Sequence, residues 1–185
     1  MTNKIESIYF SKQLFNRVSP GLLLVIIIAV IYIYFMKFLD HSLSWVPYVV
    51  VLFALLKTIY FTFSTFRQVN KSIRQCHSFM QLLWVFGILV FLIIFSFAAD
   101  FTCLSAANAT SFLELKTSRN LSYSGHLFGY FYFSVVTFAS IGYGDIVPVT
   151  VPARLIVILE IAQSFVMVVF GLSNINNIHT TFKNK

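Results

Sequence analysis

The segment Thr137-Phe-Ala-Ser-Ile-Gly-Tyr-Gly-Asp145 carries the chemistry of this chain, and it does so through its backbone. A cation can cross a membrane only if something replaces its hydration shell, and a ring of backbone carbonyls can do this. Aiming successive carbonyls at one axis forces alternate residues into conformations that side chains resist. Gly142 and Gly144 can adopt them. Ile141 and Tyr143 can then turn outward and pack behind the loop. One chain offers only a quarter of each such ring, so a single loop implies four subunits. Asp145 follows the loop, and four copies would form an acidic ring that concentrates cations at its mouth.

Such a loop needs elements to hold it. The apolar run from Phe128 to Ala139 is too short to cross a bilayer and reads as a re-entrant helix, from about Gly129 to Ala139. Its C-terminal end carries a partial negative charge of roughly half an elementary unit, directed where a cation would rest. Pro152, in the first turn of the run that follows, suits a helix start.

Composition supplies the setting. Of the 185 residues, 58% are hydrophobic and only 10% charged, where a soluble domain has about 25% charged residues. Twenty-two Phe and nine Tyr cannot all hide in one small core, because a soluble protein of this size buries only roughly 70% of its unfolded surface. The expected class is an all-α integral membrane protein. The net charge of +7 does not imply a nucleic-acid partner, because Lys and Arg fall in short segments between apolar runs rather than along one face. The expected partners are membrane lipids and further copies of the chain.

Four runs are long enough to cross: Gly21 to Phe38, Trp45 to Phe63, Phe79 to Ala98 and Val151 to Leu172. The first lacks a small-residue cleavage site after Tyr34-Phe-Met-Lys37 and does not read as a signal peptide. With four spans both termini share one side. That side holds Lys4, Lys12, Arg17, Arg67, Lys71, Arg74, Lys183 and Lys185, against Lys37, Lys116, Arg119 and Arg154 on the other. This asymmetry predicts cytoplasmic termini in a multi-pass protein of the plasma or cell membrane.

The expected organisation is a cytoplasmic segment over 1–19, read as an interfacial helix or a loose tail, and a two-helix peripheral domain over 20–66. A basic linker over 67–78, a pore domain over 79–173 and a short cytoplasmic tail over 174–185 follow. Phe101 to Ser124 reads as an external surface loop with glycosylation sequons at Asn108-Ala-Thr110 and Asn120-Leu-Ser122. Cys76 and Cys103 fall on opposite sides, which argues against an intrachain disulfide and leaves open a bridge between subunits through Cys103.

The stretch from Tyr132 to Gly171 resembles the pore domain of potassium channels, in which an outer helix, pore helix, filter and inner helix repeat around a fourfold axis. With the outer helix, the resemblance covers Phe79 to Leu172. The family pattern T-x-x-T-x-G-Y-G-D is met at Thr137, Gly142, Tyr143, Gly144 and Asp145, with Ser140 in place of the second Thr. Ser140 keeps the hydroxyl oxygen that the family uses at its innermost ion site. The resemblance implies four transmembrane helices per subunit plus the pore helix and selectivity-filter loop, in a homotetramer. It implies K+ as the permeant ion, held at the carbonyls of Ser140, Ile141, Gly142 and Tyr143, with no other cofactor. It makes Tyr132 and Thr137 supports in the pore helix, Tyr132 being a candidate partner of Asp145. It also makes Ile161, Phe165, Val168 and Leu172 a stripe lining the cavity below the filter; the alternative is a stripe packed on other helices. Val136 stands where some members have an acidic residue, and Ser164 where many have a hinge Gly.

Two ionisable residues sit inside apolar runs. Glu160 is either a polar anchor behind the pore helix or only a hydrogen-bonded carboxyl. Lys57 is expected to snorkel toward the inner leaflet rather than to gate. The functional expectation is passive potassium-selective conduction with weak voltage dependence and no enzymatic activity. The alternatives are a non-selective monovalent cation channel and a subunit of a potassium transporter.

Overall fold

The computed structural model describes Ile27 and residues 45–75, 79–114 and 123–183. Helix α1 spans Val46–Gln75, α2 Phe79–Ala107, α3 Tyr123–Phe138 and α4 Val151–Lys183, with strands β1 at Phe112–Glu114 and β2 at Ile146–Pro148. Three helices contain stretches long and apolar enough to cross a membrane: Val46–Ser64, Phe86–Ala107 and Val151–Val169. Helix α3, with 16 residues, is roughly 24 Å long at 1.5 Å per residue, short of the ~30 Å hydrocarbon core. The expected span over Gly21 to Phe38 lies outside the described residues except for Ile27, as do the segment 1–19, Cys76 and the Asn120 sequon.

The helices run further than the hydropathy boundaries. Helix α1 continues through 67–75, read above as linker, and α4 continues through the expected tail to Lys183. Neither extension contains Gly or Pro beyond Gly171, so nothing breaks the backbone hydrogen-bond ladder. Helix α3 starts six residues before Gly129, at Tyr123. The expected loop over 101–124 is corrected most. Helix α2 extends to Ala107 because Phe97, Phe101, Leu104 and Ala107 keep one buried helical face after Ala98. Strand β1 then pairs antiparallel with β2, Leu113 opposite Val147, and Val149 N donates to Ser111 O at 2.9 Å.

Helix α2 is the most enclosed of the three spans and packs against α1, α3 and α4. It is antiparallel to α4. Phe86 lies against Gly171, where a Cβ would come 3.0 Å from the Phe86 ring, and Ile94 shares a partner with Glu160 further along. Gly171 thus permits close approach of the two helices. Around α3 the core is aromatic. Phe101 of α2 meets Phe133 of α3 edge-on at 5.0 Å between ring centroids, and Phe112 of β1 lies 5.1 Å from Tyr130. Such ring pairs contribute about 0.5–1.5 kcal/mol each beyond the area they bury. Together they clamp α3 between α2 and the short sheet.

Candidate functional site

Helix α3 ends in a defined cap. Ile141 N donates to Val136 O and Ser140 N to Thr137 O, both at 2.9 Å. These are the paired bonds of a Schellman motif, which requires a left-handed residue just past the helix end. That residue is Ser140, with φ 55°. A side-chain-bearing residue in this conformation costs about 1–2 kcal/mol, and the two capping bonds offset it. The positive φ of Ser140 went unread in the sequence, although its place immediately after a helix end was the available signal.

Beyond the cap, Gly142 has φ 64° and Gly144 φ 76°. A Cβ at either would meet nothing within 4 Å, so their glycine requirement comes from the dihedral and not from lack of space. The left-handed conformation therefore recurs at every second residue, with Ile141 and Tyr143 between. Both intervening side chains are more than half exposed. Among the described residues, none supplies the packing expected behind the loop.

Both ends of the loop are held. On the near side Val136 and Thr137 are buried. On the far side Asp145 leads directly into β2, its Oδ1 accepting from Ile146 N at 3.1 Å. Tyr132 of α3 and Asp145 are hydrogen-bonded, so one contact ties α3 to the segment beyond the loop. That bond is the main reason the Tyr132 hydroxyl titrates above its ordinary range, with desolvation and the neighbouring Asp145 and Tyr143 charges adding to it.

Behind α3, Glu160 of α4 is fully buried and takes the Ser134 hydroxyl of α3 as its partner. Ser134 Oγ also reaches Ile94 O of α2 at 2.9 Å, so three helices converge on one hydroxyl. Of the two readings of Glu160, the arrangement is that of an anchor behind the pore helix.

The reading of Lys57 is corrected. Its side chain does not snorkel: it is buried, ion-paired with Asp100 of α2, bonded to Ser96 O at 3.0 Å, and 4.5 Å above the Phe97 ring. Asp100 was missed because it lies just past the hydropathy boundary at Ala98. An acidic and a basic residue on neighbouring apolar runs were the signal. Cys103, read above as part of an external loop, is instead free and buried in the core of the chain, within α2. On α4, Ile161, Phe165 and Val168 are exposed on the chain rather than packed on its other helices, while the Leu172 side chain lies outside the described residues. Ser164 is buried and donates to Ile161 O at 2.9 Å within an unbroken helix.

A family model described as an ion channel matches residues 88–180, half of the chain. The chain belongs to this ion-channel family. No curated protein and no solved structure matches it. The match runs from within α2 to near the end of α4, so it includes α3, the capped loop and both strands of the channel, and leaves α1 outside. The channel is a membrane protein, and among the described residues no group of three or more His, Cys, Asp or Glu could hold a metal ion.

Proposed function

We propose that the channel conducts K+ selectively and passively as a homotetramer, with the carbonyls of Ser140, Ile141, Gly142 and Tyr143 as the ion sites. The observation that carries this reading is the recurrence of positive φ at Ser140, Gly142 and Gly144 directly after a helix C-terminus. Alternation of this kind lets successive carbonyls face one side, which a dehydrated cation needs. The helix end contributes a partial negative charge, and Asp145 a full one at the outer mouth.

Three further features support assembly. The loop and the side chains of Ile141 and Tyr143 are exposed in one chain. So are Ile161, Phe165 and Val168 on α4, in keeping with a stripe facing a central cavity. A head-to-tail interface closes under fourfold rotation. The charge asymmetry places the termini in the cytoplasm, with the plasma membrane as the site of action.

The deciding experiment is the reversal potential of purified protein in a bilayer with opposing sodium and potassium gradients. It should lie near the potassium value. A reversal near zero supports the non-selective cation reading instead. Mass measurement in mild detergent should give a tetramer, and a stable dimer as the conducting unit contradicts the ring.

A further inference from the structure

Helix α1 lies outside the matched family region, yet it is joined to the pore by two polar contacts of unequal strength, one buried and one half-buried. The first is the Lys57–Asp100 ion pair, reinforced by the bond from Lys57 Nζ to Ser96 O. Separating it leaves a buried charge alone, so α1 moves together with α2 at this point. The second is a neutral hydrogen bond from Thr62 Oγ1 of α1 to Gln163 Oε1 of α4, at 2.6 Å. Separating it is far cheaper. The Gln163 side chain is buried, and its Nε2 has no partner among the described residues, so among these the Thr62 contact is the hydrogen bond that fixes the orientation of this amide.

Gln163 is one helical turn from Glu160, which holds Ser134 of α3. Ser134 in turn lies one turn before Thr137, whose carbonyl caps the helix at Ser140. A line of polar contacts joined by single turns of α4 and α3 therefore runs from α1 to the first residue of the capped loop. We propose that α1 is a regulatory helix that sets the conducting fraction of the filter through this line. Thr62 and Gln163 form its adjustable joint, and Glu160 and Ser134 are the positioning residues that carry the displacement. Lys57–Asp100 is the fixed pivot. This inference rests on the reading of Ser140 to Gly144 as the conduction filter.

The test is single-channel recording of purified tetramers in a bilayer with symmetric potassium, preceded by the wild-type reversal potential. Thr62→Val removes the joint and should shift the open-to-closed ratio by roughly fivefold, the equivalent of one neutral hydrogen bond. Thr62→Ser keeps the hydroxyl and should restore the wild-type ratio. Thr58→Val makes the same change one turn away, where the hydroxyl serves only Ala54 O of its own helix, and should leave the ratio unchanged. In the double variant Thr62→Val/Ser134→Ala, the shift should differ from the product of the two single shifts, since both act on one line.

Shifts that simply multiply, or an equal effect of Thr58→Val, overturn the proposal. So does a Thr62→Val channel that assembles and gates as wild type. If Thr62→Val fails to assemble, Gln163→Met, which removes the acceptor for Thr62 at similar volume and adds no charge, must shift the ratio or the proposal falls. A wild-type reversal near zero defeats potassium selectivity and not the joint, because the open-to-closed ratio is read with any permeant cation.

Discussion

Lys57 of α1 and Asp100 of α2 form an ion pair that is buried from solvent on both sides, 43 positions apart in sequence. An ammonium and a carboxylate each lose hydration on entering an apolar bundle, and their mutual attraction is what compensates the loss. The pair thus fixes the position of α1 against α2.

Removing one partner leaves the other charge buried. Lys57→Gln or Asp100→Asn should lower stability by about 3–5 kcal/mol. The double substitution Lys57→Met/Asp100→Leu should recover most of it, because a well-packed apolar pair of similar volume replaces a buried ion pair at little loss. Tetramer survival against temperature in detergent gives the comparison. Equal loss in the single and double variants would refute the pair as the source.

Voltage dependence should be weak. A charge crossing the full field contributes about 2.3 kcal/mol per 100 mV, but Lys57 moves only if Asp100 moves with it, and the two contributions then cancel. The conductance–voltage curve in symmetric potassium should therefore be shallow in wild type and equally shallow in Lys57→Met/Asp100→Leu. A steep wild-type curve that flattens in the double variant identifies the pair as a sensor.

Gly142→Ala and Gly144→Ala should each abolish or degrade selectivity. Their φ values of 64° and 76° are strained for any side chain, although space exists for a Cβ. The strain is about 1–2 kcal/mol per residue. The permeability ratio of sodium to potassium reports it. An unchanged ratio in assembled tetramers removes these glycines from the ion pathway.

The Tyr132–Asp145 contact should be sensitive to alkaline pH in one direction only. Bonding to Asp145 raises the Tyr132 pKa above its ordinary value of 10.0, so the folded state favours the protonated phenol. The contact's contribution is then complete below about pH 10, and is lost as pH rises through the higher folded value. Tyr132→Phe should shorten channel openings at neutral pH and remove this alkaline dependence, which pH jumps on the external side would measure. Openings of Tyr132→Phe that still shorten in alkali place the titrating group elsewhere.

Cys103 should resist an impermeant thiol reagent applied outside the folded channel and react after denaturation, because only 4% of it is exposed. Labelling in the native channel, detected by mass, contradicts its place in the core between α2 and its neighbours.

Sequence alone determined the membrane class, the shortness of α3 and the two glycines of the loop. Long apolar runs, a run too short to cross, and glycine's dihedral freedom are local properties, legible without knowing any neighbour. The spans over Trp45–Phe63 and Val151–Leu172 were likewise legible from hydropathy. Their helical extensions were not, because polar residues such as those over 67–75 continue a helix without changing its apolar count. Tertiary structure alone decided the partners. Lys57 could reach an interface or a carboxylate, and only the packing of α1 on α2 put Asp100 beside it. Glu160 could be anchor or passenger until α4 placed it against Ser134 of α3. Cys103 looked accessible while 101–124 was read as loop, and became buried once α2 was seen to reach Ala107. The left-handed Ser140 lies between the two groups: the helix end beside it was legible, and the paired capping bonds that hold it there were seen only in the structure.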